Sequence, residues 1–242
     1  MIAVVLGVVL AYLVYQEVKG TPVLATIASR KRLCDYGATG SVYEDIPTAL
    51  KRGTRLLEVH VYSDEQDKPV VSTRPMNSGY DFAPDNVSFE SVCVDVANDA
   101  FPSKDPMILS IVMQTDKSIV AERVVEHIRG TLRRRLISGP VSATAPIDEL
   151  ADKVVIVAAR GSALDSVLNM SWSDDNVRRL TYQQALHPRD PEELTRFNKD
   201  NITLVAQQPE LKTINANPNQ PMGFGCQWNF YIQDPPGFFP MR

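Results

Sequence analysis

Cysteine is scarce in this sequence, and its spacing points to no known framework. The chain of 242 residues has three cysteines, Cys34, Cys93 and Cys226, and no two of them have the CxxC spacing. An odd number of cysteines without that spacing predicts neither a set of disulfides nor a zinc site. A reducing compartment is therefore the expectation.

An excess of positive charge is also missing, since the formal net charge is -4. Proteins that bind nucleic acid usually carry a broad basic surface, so nucleic acid is an unsuitable partner for this chain. No repeat of fixed period is present, which argues against a solenoid or a propeller. With 44% hydrophobic residues the chain is long enough for one sizeable core.

Histidine is the third scarce residue, with only His60, His127 and His187 in the chain. His127 falls within a predicted helix, and His187 precedes a proline in a predicted loop. We expect both to be ordinary surface residues. His60 alone is a candidate for a role in a site.

A long apolar run opens the sequence, with no charged side chain from Met1 to Tyr15. A helix that spans a membrane needs about 20 residues, and the run reaches this length only if Gln16 and Val18 are included. The run has no cationic start and no good cleavage site, which disfavours a signal peptide. We predict a hydrophobic membrane-anchor helix over residues 1–18, with packing against a protein partner as the alternative.

Cations follow the apolar run and do not precede it, the first ones being Lys19, Arg30, Lys31 and Arg32. Positively charged flanks tend to remain on the cytosolic side of a membrane. We therefore expect residues 19–242 to form one domain on the cytosolic side.

Short apolar runs alternate with helical patterns through this second domain. Strand-like runs include RLLEVHVYS, PMILSIVMQ, KVVIVAA, RRLTYQQA and NITLVAQ, and Ser118 to Leu136 has the period of an amphipathic helix. About eight strands precede the proline-rich end of the chain, and such alternation is typical of a parallel sheet closed into a barrel. The predicted fold is an α/β, TIM-like (β/α)8 barrel.

Several segments resemble, in the same order, the X and Y regions of phosphoinositide-specific phospholipase C. They are TALKRGTRLLEVHVYS (48–63), SFESVCVDVANDAFPSKDPMILSI (88–111) and NANPNQPMGFGCQWNFYI (215–232). The resemblance implies a phosphodiesterase barrel with a histidine base, a histidine acid and a calcium ion held by carboxylates and an asparagine. It also implies where each of these groups should lie.

The catalytic groups are absent from the positions that the resemblance assigns to them. Arg30 and Lys31 stand in place of the first histidine and the asparagine, and Thr73 stands in place of the second histidine. A guanidinium cannot act as a base near neutral pH. We expect no catalytic residue and no cofactor.

The calcium ligands are degenerate in the same way. Glu58 is present, but His60 and Val112 replace two carboxylates, and Lys31 replaces the asparagine. One oxygen ligand is too few for calcium. Because Glu58 and His60 are two residues apart on a strand, both should point into the barrel; we expect a hydrogen bond between them, with a relic metal site as the alternative.

Two clusters of cations could contact an anionic surface. Arg30, Lys31 and Arg32, together with Arg74, could bind lipid phosphate or a partner protein, or form local ion pairs. The run Arg133 to Arg135 ends a predicted helix, where cations are favourable and usually solvated.

Three functions remain open from the sequence. The first is a non-catalytic, membrane-anchored barrel that serves as a structural or docking protein in a larger assembly; one form of it links an internal membrane to the capsid in the virion of a large DNA virus. The second is a lipid-headgroup binding module that uses Arg30, Lys31 and Arg74. The third is a phosphodiesterase with a rearranged site at Glu58 and His60.

Overall fold

The structure is a computed structural model that describes residues 31–40, 46–72, 87–206, 219–230 and 238–241. The predicted anchor, residues 1–18, lies outside these residues. Within the described part of the chain, no helix is long and apolar enough to cross a membrane.

Eleven strands and six α-helices are described. The strands are β1 Tyr36–Thr39, β2 Leu56–Ser63, β3 Pro69–Ser72, β4 Val87–Ser88, β5 Met107–Met113, β6 Val154–Ala158, β7 Met170–Ser171, β8 Val177–Thr181, β9 Ile202–Ala206, β10 Trp228–Asn229 and β11 Phe238–Pro240. The helices are α1 Ile46–Lys51, α2 Phe89–Asp99, α3 Ser118–Thr131, α4 Tyr182–Leu186, α5 Pro191–Phe197 and α6 Asn219–Gly223. Short 3-10 helices cover Leu33–Asp35, Ile147–Leu150 and Ala163–Ser166.

Eight of these strands run parallel around a barrel, as the alternation of strands and helices predicts. Two sheets make up the barrel, with strand orders β11-β1-β10-β9-β8 and β4-β3-β2-β5-β6-β7. A parallel bridge between Gly40 and Leu56 joins β1 to β2. The described residues contain no backbone pairing between β7 and β8, so the barrel has a seam there.

Apolar side chains fill two layers, one inside the barrel and one between the strands and the helices. Along β2, Leu57, Val59 and Val61 belong to the outer layer, where they pack with residues of α2 and α3. Leu56 belongs to the inner layer, together with Ile108 of β5. Because side chains alternate along a strand, Glu58 and His60 share the inner face with Leu56.

No strand-like run named from the sequence covers the first barrel strand, β1, which begins at Tyr36. The two-residue strand β7 also has no strand-like pattern in the sequence. The predicted helix from Ser118 to Leu136 ends at Thr131, since Leu136 already pairs with the first residue of β6.

Close approach of two strands requires a glycine at position 40. A Cβ atom there would lie 2.5 Å from the Leu56 carbonyl oxygen and 3.0 Å from the Phe230 ring. Gly40→Ala should therefore destabilise the protein by about 1–3 kcal/mol, as measured by urea unfolding, since backbone must move to admit the methyl group.

Gly130 provides the matched control, because a Cβ atom at this position in α3 meets nothing within 4 Å. Gly130→Ala should raise the free energy of unfolding by about 0.5–1 kcal/mol, as expected for an exposed helix. Equal effects of the two substitutions would contradict the tight junction between β1 and β2.

Candidate functional site

Glu58 and His60 of β2 lie together inside the barrel. Their side chains are only 3% and 5% exposed, and His60 Nε2 lies 3.3 Å from Glu58 Oε1. This is the geometry that the spacing of two residues predicts. The pair is the starting point of a larger polar network.

Two further side chains donate hydrogen bonds to the Glu58 carboxylate. Ser110 Oγ, at the neighbouring register position on β5, donates to Oε2 at 3.0 Å. Arg179 of β8 reaches across the barrel interior and donates from Nη2 to Oε1 at 3.0 Å. Both carboxylate oxygens are thus bonded within the protein.

The second ring nitrogen of His60 is also occupied. Gln114, which follows β5, places its amide nitrogen 3.0 Å from His60 Nδ1. An amide nitrogen can only donate, so Nδ1 accepts this bond and Nε2 carries the hydrogen that points to Glu58. Both nitrogens of the imidazole are therefore engaged.

Arg179 lies beside the seam of the barrel. Its guanidinium is 5.4 Å from the ring of Trp172, which follows β7 on the other side of the seam. Its side chain is 27% exposed, whereas Glu58 is buried. A cation over an indole ring is a favourable contact, so Trp172 helps to hold the guanidinium near Glu58.

Arg179 has no sequence feature that marks it as a site residue. It stands next to Arg178, so the two arginines alone do not show which of them faces inward. The alternation in β8 is the available signal, since Val177 belongs to the inner apolar layer and Arg179 follows two residues later. Its contact with Glu58 could not be inferred from local pattern.

The environment keeps the Glu58 carboxylate ionised. Burial alone would raise its pKa, but the hydrogen bond from His60 and the charge of Arg179 outweigh burial and hold the pKa below its ordinary value of 4.5. The buried carboxylate is thus a charged group with a charged partner.

The described donor set does not fit the calcium ion that the resemblance implies. Calcium takes about six to eight oxygen ligands, and the lone pairs of Glu58 already accept from three side chains. Val112, which is opposite His60 in the register of β2 and β5, supplies no oxygen. In the described ranges no three His, Cys, Asp or Glu side chains come together.

Lys31 and Arg32 do not lie near this network. Both precede β1 at the N-terminal end of the barrel, where the Lys31 carbonyl accepts from the Ile147 backbone. Arg32 forms ion pairs with Asp35 and Asp200, which raise its pKa.

The expected correspondence of Lys31 with a ligand at the site is therefore not found. Barrel sites form at the carboxyl ends of the strands, and Lys31 lies at the opposite end because β1 starts five residues after it. Arg30, Thr73 and Arg74 lie outside the described residues.

A separate cleft of about 390 Å³ lies on the outside of the barrel, next to β8, α4 and α5. Its lining includes Arg178, His187, Arg189 and Glu193, and no member of the Glu58 network. Arg178 already donates two hydrogen bonds to Glu193, at 2.8 and 2.6 Å, and stacks on Phe197. The cleft does not contribute to the candidate site.

Residues 35–160 match the family model of the phosphatidylinositol-specific phospholipase C X domain. The chain belongs to this family. The match begins after Arg30, Lys31 and Arg32, in agreement with the position of β1. A comparison with curated protein sequences finds no match.

Solved structures with the same fold include animal and bacterial phospholipases C. L. pealei PLC21 is 15% identical with a TM-score of 0.69, and the similarity covers 84% of this chain and 34% of that chain. The calcium-dependent phosphoinositol-specific phospholipase C of Pseudomonas sp. is 10% identical with a TM-score of 0.61, covering 88% and 96%. The Staphylococcus aureus phosphatidylinositol-specific enzyme is 14% identical with a TM-score of 0.54, covering 84% and 88%.

These likenesses establish the phospholipase C-like barrel fold. The chain spans about a third of the length of the L. pealei protein. At such low identities a shared fold does not establish that this chain has the activities of these proteins.

Glu58→Gln should destabilise the protein by about 2–3 kcal/mol near neutral pH, because it leaves the Arg179 charge without its partner. Folding lowers the Glu58 pKa, so the advantage of the wild type is complete above pH 4.5 and is lost as the pH falls toward the folded-state pKa. Urea unfolding of both proteins across this range measures the difference.

Glu149→Gln serves as the control, since Glu149 is exposed and forms no ion pair among the described residues. It should change the free energy of unfolding little at any pH. A Glu58→Gln effect that stays constant down to the lowest pH at which the protein folds would contradict an ionised, paired Glu58.

Proposed function

We propose that this chain is a non-catalytic phospholipase C-like barrel, held at a membrane by residues 1–18 with the barrel on the cytosolic side. In this role it is a structural or docking protein in a larger assembly. The observation that carries the proposal is the closed hydrogen-bond network around Glu58. The network occupies the groups that a phosphodiesterase would need.

A general base needs a lone pair within hydrogen-bonding reach of a substrate proton. Glu58 accepts from Ser110, Arg179 and His60, and His60 Nδ1 accepts from Gln114. Both side chains are also nearly inaccessible to solvent. Neither group can take a proton from a bound hydroxyl unless this network opens first.

A second histidine is not available to act as the acid. Of the other two histidines in the chain, His127 lies on α3, outside the strands, and His187 follows α4 at the exposed surface. The family's two-histidine chemistry therefore has no counterpart in this barrel. This supports a role that does not depend on turnover.

The alternative is a phosphodiesterase with a rearranged site. It is favoured by one feature, since a carboxylate, an imidazole and a guanidinium meet inside a barrel of an enzyme family. Headgroup binding without turnover is the remaining hypothesis. Of the three cations proposed for it, Lys31 precedes β1 at the N-terminal end of the barrel, and Arg30 and Arg74 lie outside the described residues.

The purified full chain should not hydrolyse phosphatidylinositol or its bisphosphate in mixed micelles, with or without calcium. The physical reason is that the base is sequestered and the acid is missing. The measurement is release of the soluble inositol phosphate compared with a heat-inactivated sample. His60→Gln and the surface control His127→Gln should both stay at background.

Turnover above background that disappears in His60→Gln and persists in His127→Gln would overturn the non-catalytic proposal. Such a result would establish the rearranged phosphodiesterase instead. Turnover that is lost in neither variant would place the activity elsewhere and would equally reject the proposal.

Calcium should leave the melting temperature of the protein unchanged. A ligand stabilises a fold only if it binds the folded state, and Arg179 occupies the carboxylate that would bind the ion. Thermal unfolding in millimolar calcium and in chelator tests this, with magnesium as the control cation. A rise in melting temperature that calcium causes, that chelator reverses and that magnesium does not reproduce would show a calcium site.

The place of the chain in a virion stays a hypothesis. It rests on the apolar run from Met1 to Tyr15 together with Arg30 and Thr73 at the positions that the resemblance assigns to the two histidines. Detection of the chain in purified viral particles of its source would support it, and absence from them would remove it.

A further inference from the structure

Charge is divided unevenly between the two ends of the barrel. At the N-terminal end, the segments that lead into β5 and β6 bring four cations together. These residues, Lys104, Arg133, Arg134 and Lys153, are called here the basic patch. Three of them, Lys104, Arg133 and Arg134, are exposed.

Hydrogen bonds to backbone carbonyl groups hold the segments of the patch together. Lys153 Nζ donates to the Arg134 carbonyl at 3.2 Å. The Lys104 carbonyl accepts from the Asp152 backbone at 2.9 Å, and the Arg135 carbonyl accepts from the first residue of β6 at 2.8 Å. The cations are therefore neighbours on one surface although they come from three segments.

The carboxylates at this end are largely neutralised by other residues. Asp152 pairs with Arg135 at 3.1 Å, and Asp99 pairs with Lys51 at 3.8 Å. Asp35 and Asp200 pair with Arg32. Within the described chain no ion pair involves Lys104, Arg133, Arg134 or Lys153. The carboxylates left over at this end are those of Asp148 and Glu149, which are exposed, and of Asp105, which is buried and accepts a hydrogen bond from Ser103.

The opposite end of the barrel, where the β strands finish, is acidic. Ion pairs there use Asp67 and Asp174. Further carboxylates at this rim form no ion pair in the described ranges: Glu65, Asp116 and Asp165. An anionic surface would therefore repel this rim and attract the N-terminal end.

The positions of two of the four cations have a simpler explanation. Cations at a helix C-terminus are favourable by themselves, and Arg133 and Arg134 follow α3. Lys104 and Lys153 end no α-helix, and they lie beside the arginines only because β5 and β6 are neighbours. The favourable position at a helix C-terminus therefore does not account for Lys104 and Lys153, and we take the convergence of three segments as a sign of a binding partner.

The geometry points to an anionic membrane surface as that partner, with the N-terminal end of the barrel facing the bilayer and the acidic rim facing away. This inference rests on the membrane anchoring in the proposed function. The chain enters the barrel at Lys31, on this same end, so the apolar run Met1 to Tyr15 and the basic patch can meet one membrane. The chemistry that the patch recognises is the anionic phospholipid headgroup.

Orientation can be measured on the full chain in vesicles. One fluorophore is attached at Ser138→Cys, an exposed position at the N-terminal end, and in a second protein at Gln66→Cys, an exposed position at the acidic rim. The three native cysteines are buried. Quenching by a dye on the lipid headgroups is compared between phosphatidylcholine vesicles with and without phosphatidylserine.

Quenching should be stronger at position 138 than at position 66 when phosphatidylserine is present. High salt should remove this difference, because exposed charges are screened. The double variant R133S/R134S should shift the population away from the docked orientation about 25-fold, since each cation contributes about fivefold near an anionic surface. The control K68S/R189S makes the same charge change away from the basic patch, at two exposed positions, and should leave the docked population unchanged.

Equal quenching at both positions in anionic vesicles, or stronger quenching at position 66, would overturn the orientation. Equal loss in the two double variants would show that the patch is not the contact. Flotation with pure phosphatidylcholine vesicles at high salt measures membrane binding by residues 1–18 alone, because electrostatic attraction to the lipid is absent. Failure to float there would reject anchoring, whereas phosphatidylserine-dependent, salt-sensitive quenching at position 138 would still support the docking face.

Discussion

The contact between Glu58 and Arg179 is the constraint on which this barrel depends. Glu58 belongs to the six-stranded sheet and Arg179 to the five-stranded sheet. The sheets are joined by backbone between β1 and β2, whereas the described residues show no such pairing at the seam between β7 and β8. A buried ion pair across the interior ties the two sheets where hydrogen bonds between strands do not.

The same contact accounts for the polar interior of the described part of this family fold. The interior of an eight-stranded barrel must be filled, and a buried carboxylate needs a partner. Here the partners are Arg179, Ser110 and His60, all from the chain itself. Both oxygens of this carboxylate are engaged within the fold, in keeping with the non-catalytic role that we propose.

Charge separation along the barrel axis fits a structural role. The net charge of the molecule is small, but the acidic rim and the basic patch lie at opposite ends, which gives an anionic surface a preferred side of approach. The network around Glu58 lies toward the rim, away from the end at which the chain enters.

The sequence by itself determined the class of fold and one half of the site. The apolar runs of β2, β5, β6, β8 and β9 and the period of α3 are strong local signals, and alternation along β2 puts Glu58 and His60 on one face. The strands β1 and β7 are too short to have a pattern, so the sequence did not show where Lys31 lies relative to the first barrel strand.

Only the tertiary structure decided what surrounds Glu58. Arg179 is 121 positions away in the chain, and Ser110 is 52 positions away. Their approach depends on the register between β2 and β5 and on how far the barrel closes around the seam. Register and closure are set by contacts among all the strands, so no local stretch of sequence contains them.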